Sequence, residues 1–260
     1  MAAPDAFAHL ARYYDPIMSH VNYDRWFSCT LALAELAPAP FRHVDTGCGT
    51  GVLVNMLRQA GWQSAGIDLS AAMVSAGRRA RGSLPLAVAD LRALPFNNSL
   101  GFITCLFDSL NFLLEERELR QAIHEFARAL CPGGLLYFDI VTERMVTLHF
   151  AGQEWDEDNG GFQSSWTSVY NRATACAETR VRINTGAETL IRERIYPHAL
   201  LENMLRDFGL TVLAVYDAER WRRPTRHTTR IDFIAMKQPP RNVNRQFKEV
   251  TKHVRTLLES

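Results

Sequence analysis

The chain has 260 residues, of which 47% are hydrophobic and 22% are charged, an ordinary composition for one or two globular domains with a buried core. This composition excludes a collagen-like, coiled-coil or wholly disordered protein. The 29 basic and 28 acidic residues give a net charge of +1, so the chain lacks the basic excess typical of proteins held to nucleic acid through phosphate contacts.

The sequence contains no recognisable export or membrane segment. Residues 1–10 lack the basic start and apolar stretch of a signal peptide, and no window approaches the roughly 20 apolar residues of a membrane span. The five cysteines are far apart without a C-x-x-C pair, and the eight histidines form no H-x-x-x-H pair. We therefore expect a cytoplasmic protein with no disulfide framework and no metal site.

Short apolar runs alternate with amphipathic stretches in the first half of the chain, which predicts right-handed βαβ units and a parallel sheet. The predicted elements are strand 41–46, helix 51–60, strand 63–67, helix 71–81, strand 84–89, strand 101–106, helix 116–130 and strand 135–140. The run Cys131-Pro132-Gly133-Gly134 is expected to end the last of these helices.

The pattern changes in the second half of the chain. Stretches 162–170, 175–183 and 188–196 are rich in Trp, Thr, Val, Ile and Tyr, which predicts an antiparallel insert of two or three strands. Residues 152–161 are interpreted as a solvated acidic loop, with a lid edge that meets a cationic substrate as the alternative. A helix at 199–208, a strand pair at 210–216 and 229–236, and a polar helical tail at 242–258 complete the prediction.

A glycine-rich turn between the first strand and helix is the most informative segment. It reads Val44-Asp45-Thr46-Gly47-Cys48-Gly49-Thr50-Gly51. Glycines let backbone N–H groups approach a ligand closely, but the dinucleotide pattern G-x-G-x-x-G would need glycine in place of Val52. Because Asp45 opposes a pyrophosphate and favours an ammonium group, we expect a nucleoside-like ligand that carries a cation.

Acidic residues end three consecutive predicted strands: Asp45, Asp68 and Asp90. Parallel strands end at one edge of the sheet, where ligands bind in open α/β folds. Asp68 is placed to accept the two hydroxyls of a ribose, and Asp90 to hydrogen-bond an adenine edge. The alternative is that the three residues only cap helices.

These residues resemble the motifs of the class I S-adenosylmethionine-dependent methyltransferases, as do Asp90-Leu91 and the run Pro132–Gly134 before the fifth strand. The resemblance implies a Rossmann-like α/β fold whose seven-stranded sheet has the order 3-2-1-4-5-7-6, with strand 7 antiparallel. It also implies an antiparallel β insert after strand 5 and an N-terminal helical lid. The expected division is a lid at 1–40, a core at 41–144 and 197–238, the insert at 145–196, and a helical tail at 239–260.

Residues 7–26 resemble the lid of small bacterial methyltransferases related to the glycine and amino-sugar N-methyltransferases, which also carry Asp-Ser-Leu-Asn after the fourth strand, here residues 108–111. The resemblance implies S-adenosylmethionine as cofactor and S-adenosylhomocysteine as product. The implied cofactor-binding residues are Tyr14, Trp26, Asp45, Gly47, Cys48, Gly49, Asp68, Leu69, Met73, Asp90, Leu91 and Phe107, and the implied catalytic residues are Tyr14 and Asn111. The alternatives are core or lid packing for Tyr14, Trp26 and Met73, and a turn cap for Asn111.

The sequence therefore predicts methyl transfer to a small-molecule acceptor, with N-methylation slightly favoured over O-methylation, by a monomer or homodimer. RNA methylation is the second hypothesis, because residues 220–230 hold five arginines and Trp221. The bland interpretation of this cluster is a solvated connection that forms salt bridges with the acidic loop. A non-catalytic binding protein of methyltransferase fold is the third hypothesis.

Overall fold

Helices and strands alternate through the first half of the chain, as its apolar periodicity predicts. The structure is a computed structural model that describes residues 5–186 and 188–259; residues 1–4 of the predicted lid, Ala187 of the predicted insert and Ser260 of the predicted tail lie outside the described residues. The elements are α1 (Tyr14–Ile17), α2 (Tyr23–Leu33), β1 (His43–Thr46), α3 (Val52–Gln59), β2 (Ser64–Asp68), α4 (Ala71–Arg81), β3 (Leu86–Val88), β4 (Leu100–Cys105), α5 (Glu116–Ala129), β5 (Leu130–Val141), α6 (Glu143–His149), β6 (Gln153–Asp158), β7 (Gln163–Asn171), β8 (Cys176–Ile183), β9 (Glu188–Arg194), α7 (His198–Asp207), β10 (Leu210–Asp217), β11 (Arg230–Lys237) and α8 (Val243–Glu259). Short 3-10 helices span Met18–His20, Ala34–Leu36 and Ser109–Phe112.

In the described part of the chain, seven strands form the main sheet, in the order β10-β11-β5-β4-β1-β2-β3. Strands β1 to β5 pair in parallel, and β11 runs antiparallel to both of its neighbours. With β11 counted as strand 7 and β10 as strand 6, this is the predicted order, and the predicted fold class is confirmed.

Successive side chains of the central strands point to opposite sides of the main sheet. Because these side chains are apolar on both sides, both faces of the sheet are covered by helices. Phe138 of β5 packs on the face covered by α5 and α7, where its ring stacks on Phe233 at 4.6 Å. Tyr137 points to the face covered by α2, α3 and α8. The tail helix, whose packing the sequence left open, covers this second face through Phe247 and Val254.

Strand β5 begins earlier than predicted. Helix α5 ends at Ala129 and the strand follows at once from Leu130, so the run 131–134 does not separate the two elements. The pairing with β4 shifts register inside that run, where Leu100 opposes Leu130 but Phe102 opposes Leu135. The extra residues form a bulge, which absorbs the proline and glycines that suggested a turn.

Within the described residues, the insert contains four strands rather than two or three, in the order β6-β7-β8-β9. The prediction of an acidic loop at 152–161 is wrong for most of that range, because β6 occupies it and pairs antiparallel with β7. Trp155 lies opposite Trp166, and their stacked rings are 5.5 Å apart. The acidic side chains that suggested a loop are mostly exposed along this outer strand.

The N-terminal segment lies between the core and the insert. Asp15 accepts hydrogen bonds from the Thr50 hydroxyl at 2.5 Å and from Arg81 at 2.7 Å, both in the core. Tyr13 is hydrogen-bonded to Thr185 of the insert at 2.9 Å. An apolar cluster joins the same segment to the insert sheet, and its buried members are Leu10, Ile17, Val181 and Ile183.

Candidate active site

The glycine-rich turn lies at the carboxyl edge of the main sheet. Gly47 and Gly49 have φ values of +70° and +55°, a backbone conformation that favours glycine. A Cβ on Gly47 would lie 2.4 Å from the Ser109 hydroxyl, whereas a Cβ on Gly49 would meet only Met73 Cε at 3.8 Å and Tyr14 Cε1 at 3.9 Å. The turn is therefore closely packed against Ser109 and in ordinary contact distance of Tyr14 and Met73.

Asp45 is held beside this turn by a chain of buried polar groups. The Thr104 hydroxyl donates to Asp45 Oδ1 at 2.6 Å, and His43 contacts Thr104 at 3.0 Å and Ser64 at 2.8 Å through its two ring nitrogens. Burial lowers the pKa of His43 to about 3, so the ring is neutral. Burial raises the pKa of Asp45 to about 7, so a neighbouring cation would favour its ionised form.

Asp68 ends β2 with both carboxylate oxygens anchored. Gly49 N–H donates to one oxygen and Ser70 N–H to the other, each at 2.8 Å. Burial nevertheless raises the pKa of this carboxyl. Each oxygen keeps a lone pair for a further donor, and the side chain of the next residue, Leu69, is 63% exposed.

Asp90, the third acidic strand end, faces a cation of its own chain. Arg92 forms paired hydrogen bonds with both carboxylate oxygens, the shorter at 2.7 Å, and also contacts Glu118. The Arg92 guanidinium lowers the pKa of Asp90. A surface cavity of about 390 Å³ lies beside this pair, while Leu91 packs on the core.

Aromatic side chains from the lid and from the end of β4 cover the site. Burial raises the pKa of Tyr14, and the nearby Tyr23 and Asp108 raise it further. Trp26 stacks on Phe107 with ring centroids 4.4 Å apart. Phe107 and Asp108 have φ values of +57° and +53°, and such left-handed conformations in residues other than glycine often occur at functional sites.

Two predicted site residues have their side chains engaged elsewhere. Asn111 is fully buried, and its amide donates to Arg194 O at 2.8 Å and accepts from Val141 N–H at 3.1 Å. This packing favours a structural tie over the predicted catalytic role. The Cys48 side chain points towards Gly66, where an added Cβ atom would lie 2.7 Å from the Cys48 sulfur. Cys48 therefore contributes only its backbone to the site at the turn.

A second group of charged residues, which the sequence reading did not assemble, lies next to this site. Arg230 forms ion pairs with Asp108 at 2.8 Å and with Asp139, and Glu193 of the insert lines a small cavity together with Asp108 and Arg230. Asp139 is completely buried and its Oδ1 has no hydrogen-bond partner. An acidic residue inside the apolar run Leu135–Val141 is the sequence feature that could have revealed it.

The arginine cluster at 220–230 does not form one exposed platform. Trp221 is fully buried and its indole N–H donates to Asp232 at 2.8 Å, so its ring cannot stack on a base. Arg230 points inward, and Arg222 lies 3.9 Å from Glu259 of the tail helix. The salt bridges expected between this cluster and the acidic segment 152–161 are not among the ion pairs of the described residues.

Across residues 5–186 and 188–259, no three His, Cys, Asp or Glu side chains are grouped so that they could hold a metal ion. The same residues include no helix with the length and apolar character needed to cross a membrane.

The region that builds the glycine turn, residues 44–134, matches the methyltransferase domain family. Over these residues the chain is similar to the class I S-adenosylmethionine-dependent methyltransferases. The cofactor of this class is S-adenosylmethionine, whose nucleoside and cationic amino-acid parts agree with the ligand expected from the acidic strand ends.

Curated methyltransferases resemble this chain over part of their length. A Bacillus subtilis (strain 168) protein named as a methyltransferase, YqeM, is 29% identical over 61% of this chain and 64% of its own length. The dTDP-3-amino-3,6-dideoxy-alpha-D-glucopyranose N,N-dimethyltransferase of Streptomyces fradiae is 30% identical over 40% of this chain and 43% of its own. A malonyl-[acyl-carrier protein] O-methyltransferase of Serratia marcescens is 27% identical over 65% and 64%.

Solved structures share the fold of this chain. An S-adenosylmethionine-dependent methyltransferase from Clostridium acetobutylicum superimposes with a TM-score of 0.75, covering 87% of this chain and 97% of its own at 22% identity. The structural likeness therefore extends beyond residues 44–134.

Proposed function

We propose that this protein transfers a methyl group from S-adenosylmethionine to a small-molecule acceptor, with nitrogen slightly favoured over oxygen as the methylated atom. The observation that carries the proposal is the glycine turn at Gly49, which lies next to Tyr14 and Met73 and is flanked by the carboxyls of Asp45 and Asp68.

The chemistry of the residues around this turn suits the cofactor. Asp68 keeps lone pairs for two ribose hydroxyls, and Asp45 offers a buried carboxyl to the ammonium group. Met73 and Tyr14 lie next to Gly49, and we expect Met73 to pack against the adenine and the Tyr14 ring to cover the methionine part. When bound, the cofactor supplies a methyl group already activated by its sulfonium. The protein then has to orient the acceptor and exclude water.

The preference for nitrogen has three supports. Asp108 and Glu193 line a cavity next to the proposed site, and acidic groups attract an amine better than an anionic acceptor. Sugar N-methyltransferases occur among the relatives, although an O-methyltransferase occurs there as well. A neutral amine also needs no strong base at the moment of attack, whereas a hydroxyl usually needs one.

Calorimetry with S-adenosylhomocysteine tests cofactor binding. We expect the wild-type protein to bind it and Asp68→Asn to bind about tenfold or more weakly, because the variant loses a charged acceptor for the ribose hydroxyls. Asp207→Asn, a change at an exposed residue of α7 that pairs with Arg120, is the control and should bind normally. Absence of binding by the wild-type protein would refute the proposed function.

A further inference from the structure

A small cavity lies between the core and the insert, beside the proposed methyl-transfer site. Its volume is about 60 Å³, and its lining combines apolar residues of α6 and the insert with three charged groups, Asp108, Glu193 and Arg230. Two water molecules occupy about this volume in the liquid, so the cavity admits the functional-group end of a molecule rather than a whole sugar nucleotide.

The charged groups of this cavity come from three separate elements. Asp108 follows β4, Arg230 begins β11, and Glu193 lies near the end of β9 in the insert. Arg230 is already paired with Asp108 and with Asp139 of β5. Arg230 thus already has two carboxyl partners, and Glu193 adds a third carboxyl to the same cluster.

Glu193 has an incomplete set of partners. Its Oε1 is buried and receives no hydrogen bond, although a buried carboxylate oxygen without a donor is costly. Asp108 lines the same cavity, and burial together with the Asp108 charge raises the pKa of Glu193. The unpartnered oxygen of Glu193 is therefore free to accept a hydrogen bond from a ligand donor.

Asp108 connects this cavity to the methyl-transfer site. The next residue, Ser109, donates from its hydroxyl to Gly47 O of the glycine turn at 3.4 Å. Arg230, which also lines the cavity, lies 5.8 Å from the centre of the Trp26 ring. A group placed in the cavity would therefore lie close to the proposed methyl-transfer site.

We propose that Glu193 and Asp108 bind the amino group of the methyl acceptor, and that the Glu193 carboxylate takes the proton which the acceptor must lose. The proposal rests on the proposed function and narrows its acceptor to an amine. An ammonium N–H donates to the unpartnered Oε1 of Glu193, and the proton then passes to that oxygen, breaking N–H and forming O–H. The freed nitrogen lone pair forms the bond to the methyl carbon, and the electrons of the broken carbon–sulfur bond remain on sulfur.

The test compares two probes that differ only in the amine, 2-aminoethanol and ethylene glycol, by NMR titration of the protein saturated with S-adenosylhomocysteine. We expect the wild-type protein to bind 2-aminoethanol at least about tenfold more tightly than ethylene glycol, the range of a charge-assisted hydrogen bond. Glu193→Gln should lose this preference, because its amide keeps the shape but cannot accept the proton. Glu178→Gln, an exposed change on the same sheet at a residue paired with Arg192, should keep it.

The outcomes separate this inference from the proposed function. If S-adenosylhomocysteine does not bind, the proposed function fails. If it binds but 2-aminoethanol shows no preference over ethylene glycol, or Glu193→Gln keeps that preference, the amine site is wrong while methyl transfer stands. Unchanged S-adenosylhomocysteine affinity in Glu193→Gln confirms that the variant is folded and that any loss belongs to the acceptor site.

Discussion

The ionisation state of the Asp45 carboxyl depends on whether a cation lies beside it. Burial raises its pKa to about 7, while Thr104 holds one of its oxygens. Without a ligand, the folded chain therefore keeps a proton that the unfolded chain releases between about pH 4 and about pH 7. The contribution of Asp45 to the free energy of unfolding decreases as the pH rises through that window.

Cofactor binding should show the opposite dependence on pH, because an ammonium group favours the ionised carboxyl. We expect the affinity for S-adenosylhomocysteine to rise about tenfold between about pH 5.5 and about pH 8, with proton release on binding below pH 7. Asp45→Asn should bind more weakly at high pH and show a flatter profile. Calorimetry in two buffers of different ionisation enthalpy measures both quantities, and identical pH profiles for the two proteins would contradict the assignment.

At the level of elements, Asn111 ties three segments together. It follows β4 in the short 3-10 helix, donates to the end of β9 and accepts from the end of β5. Arg194 and Tyr196 reinforce this junction through the carbonyls of Leu114 and Leu113. The junction orients the insert strand that carries Glu193.

Asn111→Ala should therefore lower the free energy of unfolding more than it lowers cofactor affinity. Loss of two buried hydrogen bonds leaves a backbone donor and acceptor unpaired, at a cost of about 2–4 kcal/mol in the free energy of unfolding. Denaturant unfolding measures this loss, and calorimetry should show near-normal S-adenosylhomocysteine affinity at a temperature where the variant is folded. Asn203→Ala on the exposed side of α7 is the control. A fully stable variant without methyl transfer would instead support the catalytic role predicted from the sequence.

Across the whole molecule, Asp15 links the lid to the core through Thr50 and Arg81, while Tyr13 links it to the insert. These contacts flank Tyr14 in the chain, whose ring lies next to Gly49 of the glycine turn. Closing a lid excludes water and sets the rate at which a ligand leaves. The ion pair is partly exposed, with 16% and 32% of the two side chains accessible, so it contributes little to stability.

Asp15→Ala should accordingly speed the release of S-adenosylhomocysteine about fivefold, equivalent to the roughly 1 kcal/mol of such a pair, with little change in the unfolding midpoint. Stopped-flow displacement followed by tryptophan fluorescence measures the dissociation rate. Asp24→Ala, an exposed change on α2, should leave that rate unaltered. Equal rates in all three proteins would show that this contact does not close the site.

Local patterns predicted the strands and helices of the parallel part of the main sheet, because each apolar run specifies its own element. The order of the strands came from the resemblance to a known family. Local patterns did not predict the cavity, since Asp108 and Arg230 are 122 positions apart and meet only when β11 pairs with β5. The position of Glu193 depends on how the insert sheet packs against the core. The periodicity of apolar residues in the sequence does not encode this packing. Burial of Trp221 was hidden for a similar reason, since the helix that covers it is the distant tail.

The outer strand β6 of the insert carries acidic side chains that oppose pairing with a strand of another molecule. Strand β6 is an outer strand, and the free backbone groups of such an edge can pair with a strand from another molecule. Two copies meeting there would oppose Glu154, Asp156 and Asp158 to the same residues, and their like charges would repel. The acidity that suggested a loop thus keeps the insert sheets of separate molecules from joining into one continuous sheet, and strong acidification would remove that barrier.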